Sequence, residues 1–256
     1  MNKIYLDHNA TTPVAPEVLD IVTNVLEKQV GNPSSVHSIG RSARVLVDES
    51  REHVANLIGA SPSEIVFTSG GTEANNFALL GVALGLGKGG GHIVTSQVEH
   101  PSILNPCRQL ENLGFNVDLL KVDKLGRIDL DALEDCLTES TLLLSLQHAN
   151  SETGVLQDIE KIGEIARKKG VLFHTDAVQS VGKIQVEVQD APIDMLSISA
   201  HKLNGPKGVG ALYLKRGSPE LFSPICGGGQ EKKRRGGTEN VAGIAGFGKA
   251  CELAQK

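Results

Sequence analysis

Residues 64–84 read Glu64-Ile-Val-Phe-Thr68, then Ser69-Gly70-Gly71, then Thr72-Glu-Ala-Asn-Asn-Phe-Ala-Leu-Leu-Gly-Val-Ala-Leu84. The first segment is a short apolar strand, the second a glycine turn and the third a helix. The same alternation continues on both sides of it. Upstream, Pro16–Lys28 reads as a helix with Val18, Ile21, Val22 and Val25 at helical spacing, and Arg41–Ile58 as a second, stopped by Gly59. Downstream, strands at 92–97, 116–121, 141–146, 171–174, 194–199 and 209–214 are interleaved with helices at 102–113, 129–137 and 158–169. Residues 236–256 have the pattern of a further, opening helix, and the chain stops within it. Strands separated by helices imply right-handed crossovers and a mostly parallel sheet. The expected fold is therefore α/β, a three-layer sandwich whose mostly parallel central sheet is covered by helices on both faces. No repeat, low-complexity tract or linker divides it. Residues 1–15 form an N-terminal arm and 16–256 one domain.

Composition narrows the function classes. The 256 residues carry 25 Lys+Arg against 30 Asp+Glu, a net charge of -5, with no sustained basic stripe, which argues against nucleic acid as a partner. No apolar run approaches the roughly 20 residues of a membrane span, and the opening Met-Asn-Lys-Ile-Tyr does not read as a signal peptide. The four cysteines are far apart and form no C-x-x-C pair, which fits a reduced, cytoplasmic setting. With 29 glycines and no tryptophan, the chain has the means to build tight loops around a ligand. Metal ligation is not expected, because the eight histidines show no H-E-x-x-H spacing and no neighbouring cysteine.

Several stretches carry chemistry. Gly85-Leu-Gly87-Lys-Gly89-Gly90 matches G-x-G-x-x-G literally but follows a helix and precedes a strand, so it reads as a connection. Ser69-Gly70-Gly71-Thr72 follows a strand and opens a helix, where free N–H groups favour an anion; taken alone it reads more readily as a plain turn capped by Thr72. Asp176, past a strand end, could face a cationic ring nitrogen or a metal, or simply cap a turn. Lys202, between His201 and a glycine-rich turn with hydroxyls at Ser197 and Ser199, could attack a carbonyl and form a Schiff base. His100 could stack on a planar cofactor or move protons. Glu231-Lys-Lys-Arg-Arg235 reads as a solvated loop, with a basic reach toward an anion or a neighbouring subunit as the alternative. Pyridoxal phosphate (PLP) is the one cofactor that uses a lysine, an acid, a stacking ring and a phosphate cup together.

The chain also resembles the cysteine desulfurases of the nitrogen-fixation and iron–sulfur-assembly type, within the class V aminotransferases of PLP fold type I. The resemblance rests on Tyr5-Leu-Asp-His-Asn-Ala-Thr-Thr-Pro13, Gly31-Asn-Pro-Ser-Ser35 with His37, Thr68-Ser-Gly-Gly-Thr-Glu-Ala-Asn-Asn76 and Glu99-His100. It continues through His148-Ala-Asn-Ser-Glu-Thr-Gly154, His174-Thr-Asp-Ala-Val-Gln179, Ser199-Ala-His-Lys-Leu-Asn-Gly-Pro-Lys-Gly208, Gly227-Gly-Gly-Gln230 and Gly237-Thr-Glu-Asn240. It implies that Lys202 holds PLP as a Schiff base, that Asp176 keeps the ring nitrogen protonated, and that Gln179 hydrogen-bonds the phenolic oxygen. His100 would stack on the ring and shuttle protons, Gly71, Thr72, Ser199 and His201 would bind the phosphate, and Asn150 would lie near substrate and cofactor. Ser151 stands where the family often has a second Asn. Thr238 would reach the phosphate of the other protomer, which implies a homodimer with shared active sites.

The implied reaction converts L-cysteine to L-alanine and delivers sulfur as a persulfide to an acceptor or iron–sulfur scaffold protein. Family members continue into a smaller C-terminal domain with the catalytic cysteine and a carboxylate-binding arginine. The resemblance therefore casts 16–256 as the PLP-binding large domain, and the chain as an inactive or incomplete fragment. A non-catalytic dimerisation module, or another class V reaction such as transamination or selenocysteine lysis, are the alternatives.

Overall fold

The computed structural model describes residues 4–256, so the first three residues of the arm lie outside the described residues. Seven helices and seven strands follow one another as α1 (Pro16–Lys28), α2 (Ser38–Leu57), β1 (Ile65–Thr68), α3 (Gly71–Leu86), β2 (His92–Ser96), α4 (Pro101–Asn112), β3 (Asn116–Leu120), α5 (Leu130–Cys136), β4 (Thr141–Gln147), α6 (Ile159–Lys169), β5 (Leu172–Asp176), β6 (Met195–Ser199), β7 (Gly210–Leu214) and α7 (Val241–Ala254). The strands form one sheet in the order β1-β7-β6-β5-β4-β2-β3.

Alternation along each strand sends side chains to two cores. Phe67, Leu144, Phe173 and Leu196 pack under α2, α5, α6 and α7. Val66, Ile93, Leu143 and Leu212 pack under α3 and α4. The result is three layers around a mixed, mostly parallel sheet. β7 is the exception, antiparallel to both β1 and β6. Its connection from Ser199 to Gly210 is shorter than the dozen or so residues a crossover helix needs, so the chain can only fold back beside β6. α7 crosses α1 and α2 at close range: a Cβ on Gly246 would lie 2.5 Å from Val22 Cγ2, and one on Gly248 2.7 Å from Ser50 Cα.

Three local readings need correction. α2 begins at Ser38, three residues before the predicted start, because His37 Nδ1 accepts the Gly40 N–H at 3.3 Å and caps it. β5 reaches Asp176, so that residue ends the strand, paired in register with Gln147 and Ser197. The run 231–235 is not a solvated loop. Glu231 is buried, bidentate to Arg51 at 2.7 Å on each oxygen, and also accepts the Phe67 N–H at 2.9 Å. Arg235 pairs with Glu73 at 2.8 Å. Among the described residues no helix is long and apolar enough to cross a membrane.

Candidate active site

One edge of the sheet collects the ends of the parallel strands. Thr68 of β1 and Ser199 of β6 both pair with Gly210 at the start of β7, in one row. Above this edge lies a cavity of about 1050 Å³, lined among others by Gly71, Thr72, His100, Asp176, Gln179, Ser199, His201 and Lys202.

At one end stands the N-terminus of α3. Gly70 holds φ 151° and ψ −178°, a conformation essentially restricted to glycine, and no side chain caps the helix. Its leading N–H groups and positive dipole end therefore remain available to an anion. Gly71 brings the backbone against β5's following loop: a Cβ there would sit 2.7 Å from Val178 Cγ2. Lys207, His201 and Ser199 complete this wall. Glu73 accepts the Ser69 N–H at 2.8 Å. Burial works to raise its carboxyl, but Arg235 and Ser69 outweigh that and hold it below its ordinary value.

Beneath the cavity, the Asp176 carboxylate accepts from Asn75 Nδ2 at 2.7 Å and from Val178 N at 3.0 Å. Burial pushes its carboxyl up, against these bonds and the nearby charges of His100 and Lys202. Asn75 Nδ2 also donates to Ser102 Oγ at 2.8 Å, which lies 2.7 Å from His100 Nδ1. That nitrogen accepts the Ser102 N–H at 3.1 Å, so the neutral ring carries its proton on Nε2. His100, Ser102, Asn75 and Asp176 thus form one continuous hydrogen-bonded chain. His148, in the quoted 148–154 motif, is held below its ordinary pKa by burial.

Lys202 follows β6 on a short 3₁₀ turn, Ala200–Lys202. Its amine donates to the carbonyls of Asn9 and Ala10. Burial first, then the charge of Lys183, hold the amine below the ordinary lysine range. Lys183 donates to Gln179 Oε1 at 2.8 Å, and Gln179 Nε2 donates to Asn9 O at 2.9 Å. The N-terminal arm is therefore a wall of the cavity, fastened by Thr12 N to His201 O at 2.9 Å and Ala15 N to Asn204 O at 3.0 Å.

Three residues sit elsewhere. Asn150 Oδ1 accepts from Glu152 N, Thr153 N and Thr153 Oγ1, while its Nδ2 reaches Val98 O at 3.1 Å; the cavity wall there is Ala149 and Ser151. Thr238 lines a separate cavity of about 180 Å³ with Glu231 and Arg235. The Ser197 hydroxyl lies 2.9 Å from His174 Nε2, under the sheet edge. Asn75, Ser102 and Lys183 escaped the sequence reading, since a lone Asn, Ser or Lys carries no motif of its own. Asn75 alone had a signal, inside the quoted 68–76 stretch.

PLP fits this set of donors. The anion end, the amine and the buried carboxylate surround one space, and the buried Asn75 Oδ1 has no protein partner. Gly71, Thr72, Ser199 and His201 would hold the phosphate, Lys202 the carbonyl carbon and Asp176 the ring nitrogen.

Comparison with known proteins agrees. A cysteine desulfurase IscS of Dictyoglomus turgidum is 51% identical over 98% of this chain and 64% of its own length. A cysteine desulfurase of Trichormus azollae is 50% identical over 99% of this chain and 63% of its own. The chain thus spans under two thirds of the length of these curated relatives. A solved structure of SspA in complex with cysteine superposes with a TM-score of 0.95 at 42% identity, covering 98% of this chain and 72% of that one. The aminotransferase class-V family pattern matches residues 4–256, and the chain belongs to that PLP-dependent family.

Proposed function

We propose that the chain is the cofactor-binding part of a PLP-dependent cysteine desulfurase, which turns L-cysteine into L-alanine and passes the sulfur on as a persulfide. The observation that carries this reading is the placement of the Lys202 amine and the Asp176 carboxylate around one cavity whose far end is the open N-terminus of α3. Relatives 50% and 51% identical carry the name cysteine desulfurase, and cysteine occupies the SspA structure.

Bound PLP supplies a conjugated ring that withdraws electron density from the substrate's Cα. The residues of this chain do the rest. Depression of the Lys202 amine leaves more of it neutral and nucleophilic at neutral pH. Asp176 opposes the ring nitrogen with a negative charge and so keeps a proton there. His100, its Nδ1 already an acceptor, presents Nε2–H to the cavity and so can donate a proton there. Gln179, fixed between Asn9 and Lys183, offers a donor for the phenolic oxygen. None of Cys107, Cys136, Cys226 or Cys251 lines the cavity, so the sulfur-accepting thiol comes from outside the residues described. Thr238 serves the phosphate of a second protomer in a cytoplasmic homodimer, Asn150 steadies the loop beside the substrate, and an acceptor or iron–sulfur scaffold protein receives the sulfur.

The test is direct. The chain incubated with PLP should gain the visible absorption of a lysine-bound cofactor. Borohydride reduction should fix that cofactor to residue 202, as read by peptide mass spectrometry, and a Lys202→Ala variant that still showed the band would overturn the assignment. Product analysis with cysteine as substrate then separates alanine formation from transamination.

A further inference from the structure

At the opposite end of β2 from His100, the fold gathers a second set of reactive side chains. His92 opens β2, Asp118 lies in the edge strand β3, and Cys136 ends α5. The Asp118 Oδ2 atom lies 3.2 Å from His92 Nε2 and 3.4 Å from Cys136 Sγ, and the three ligand atoms all fall within 4.8 Å of one another. We propose that His92, Asp118 and Cys136 form a binding site for a divalent transition metal ion of the zinc class.

Geometry supports the assignment. With zinc bonds of about 2.0–2.2 Å to nitrogen and oxygen and about 2.3 Å to sulfur, tetrahedral ligands stand roughly 3.3–3.6 Å apart. The two separations already in place, 3.2 and 3.4 Å, need little adjustment. One imidazole, one thiol and one carboxylate make a donor set suited to zinc and poorly suited to magnesium or calcium. The ring is also oriented from behind, as zinc-bound histidines are: His92 Nδ1 lies 2.9 Å from Thr141 Oγ1, which itself accepts the Thr138 N–H at 2.9 Å. That leaves Nε2 for the ion. His92 is buried while the Asp118 side chain is 64% exposed, so the site has a rigid floor and an open mouth for entry and for a water ligand.

The residues are scattered along the sequence, which is why spacing rules point away from metal. The ion would join β2, β3 and α5 at the edge of the sheet, roughly 13 Å of strand from the cavity end of β2.

Equilibrium dialysis of the PLP-loaded chain against Zn²⁺, with zinc K-edge absorption on the product, tests this. The expected result is one ion per chain with a single sulfur neighbour at about 2.3 Å. Cys136→Ser should remove the sulfur signal, and both Cys136→Ser and Asp118→Asn should weaken retention at least tenfold, while Cys226→Ser at an exposed cysteine should change neither. Circular dichroism confirms that these surface variants fold. Failure of the wild type to hold one ion, retention of the sulfur signal by Cys136→Ser, or its loss in Cys226→Ser would each overturn the proposal.

Discussion

Lys183 touches no predicted site residue except Gln179, yet it is the second cause, after burial, of the depressed Lys202 amine. Replacing it with Met removes a like charge, so the Lys202 pKa must rise. The pH midpoint for PLP attachment should therefore move to higher pH, and stopped-flow loading across pH reads the shift. Lys183→Met also frees Gln179 Oε1, and a Lys183→Gln variant, which can still donate, separates the two effects. Glu99 gives the opposite kind of signal. It is fully buried, bonded to Ser96 Oγ at 2.5 Å and Gln147 N at 2.9 Å, and burial pushes its carboxyl up to about 8 from 4.5. A carboxyl raised on folding means the native state holds more protons than the unfolded one between those values. Stability from this group is then present below pH 4.5 and lost as pH rises towards 8. Thermal melts of wild type should show that decline, and Glu99→Gln should flatten it.

At the scale of elements, the loop between β7 and α7 is held by a buried ion pair. Glu231 to Arg51 joins it to α2, and Glu231, Lys232 and Lys233 all sit at positive φ, 45°, 57° and 68°. Removing one partner strands a buried charge, so Glu231→Ala should cost about 3–5 kcal/mol, measurable by urea unfolding. This loop also marks where sequence reading fails. A run of five charged residues looks solvated until its partner is known, and Arg51 lies far upstream with nothing local to announce it. The helices were legible because apolar spacing is a local property: Pro16–Lys28 emerges at the same bounds from both. Most strands appeared for the same reason, shifted by a residue or two. The reversed direction of β7 depends on the length of a loop rather than on the strand itself. The site was legible where a residue type is chemically distinctive, as with Lys202, Asp176 and His100. It was not where ordinary residues act through others, as Asn75 and Ser102 do.

Considering the molecule as a whole, Leu6 of the arm, Leu26 of α1, and Val30 and Val36 of the α1–α2 connection are largely exposed, at 85%, 70%, 84% and 87%. The proposed reach of Thr238 to a second protomer's phosphate needs two chains, and exposed apolar side chains of this kind are available to an interface. Sedimentation equilibrium should therefore show a dimer, and a purely monomeric chain would count against the proposed role of Thr238. The arm has one more consequence. Residues 9–15 close the cavity by bonding mainly to residues 201–204, nearly two hundred positions later, with Asn9 also bonded to Ser151 and Gln179. Contacts of such sequence separation carry a high loop-closure cost and form late in folding. On the ribosome, the first residues must wait, unpartnered, until the strand that carries the lysine has emerged. Cofactor capture is thereby deferred until the arm has met the strand that carries the lysine, so that order of synthesis itself protects a reactive amine from meeting an aldehyde too early.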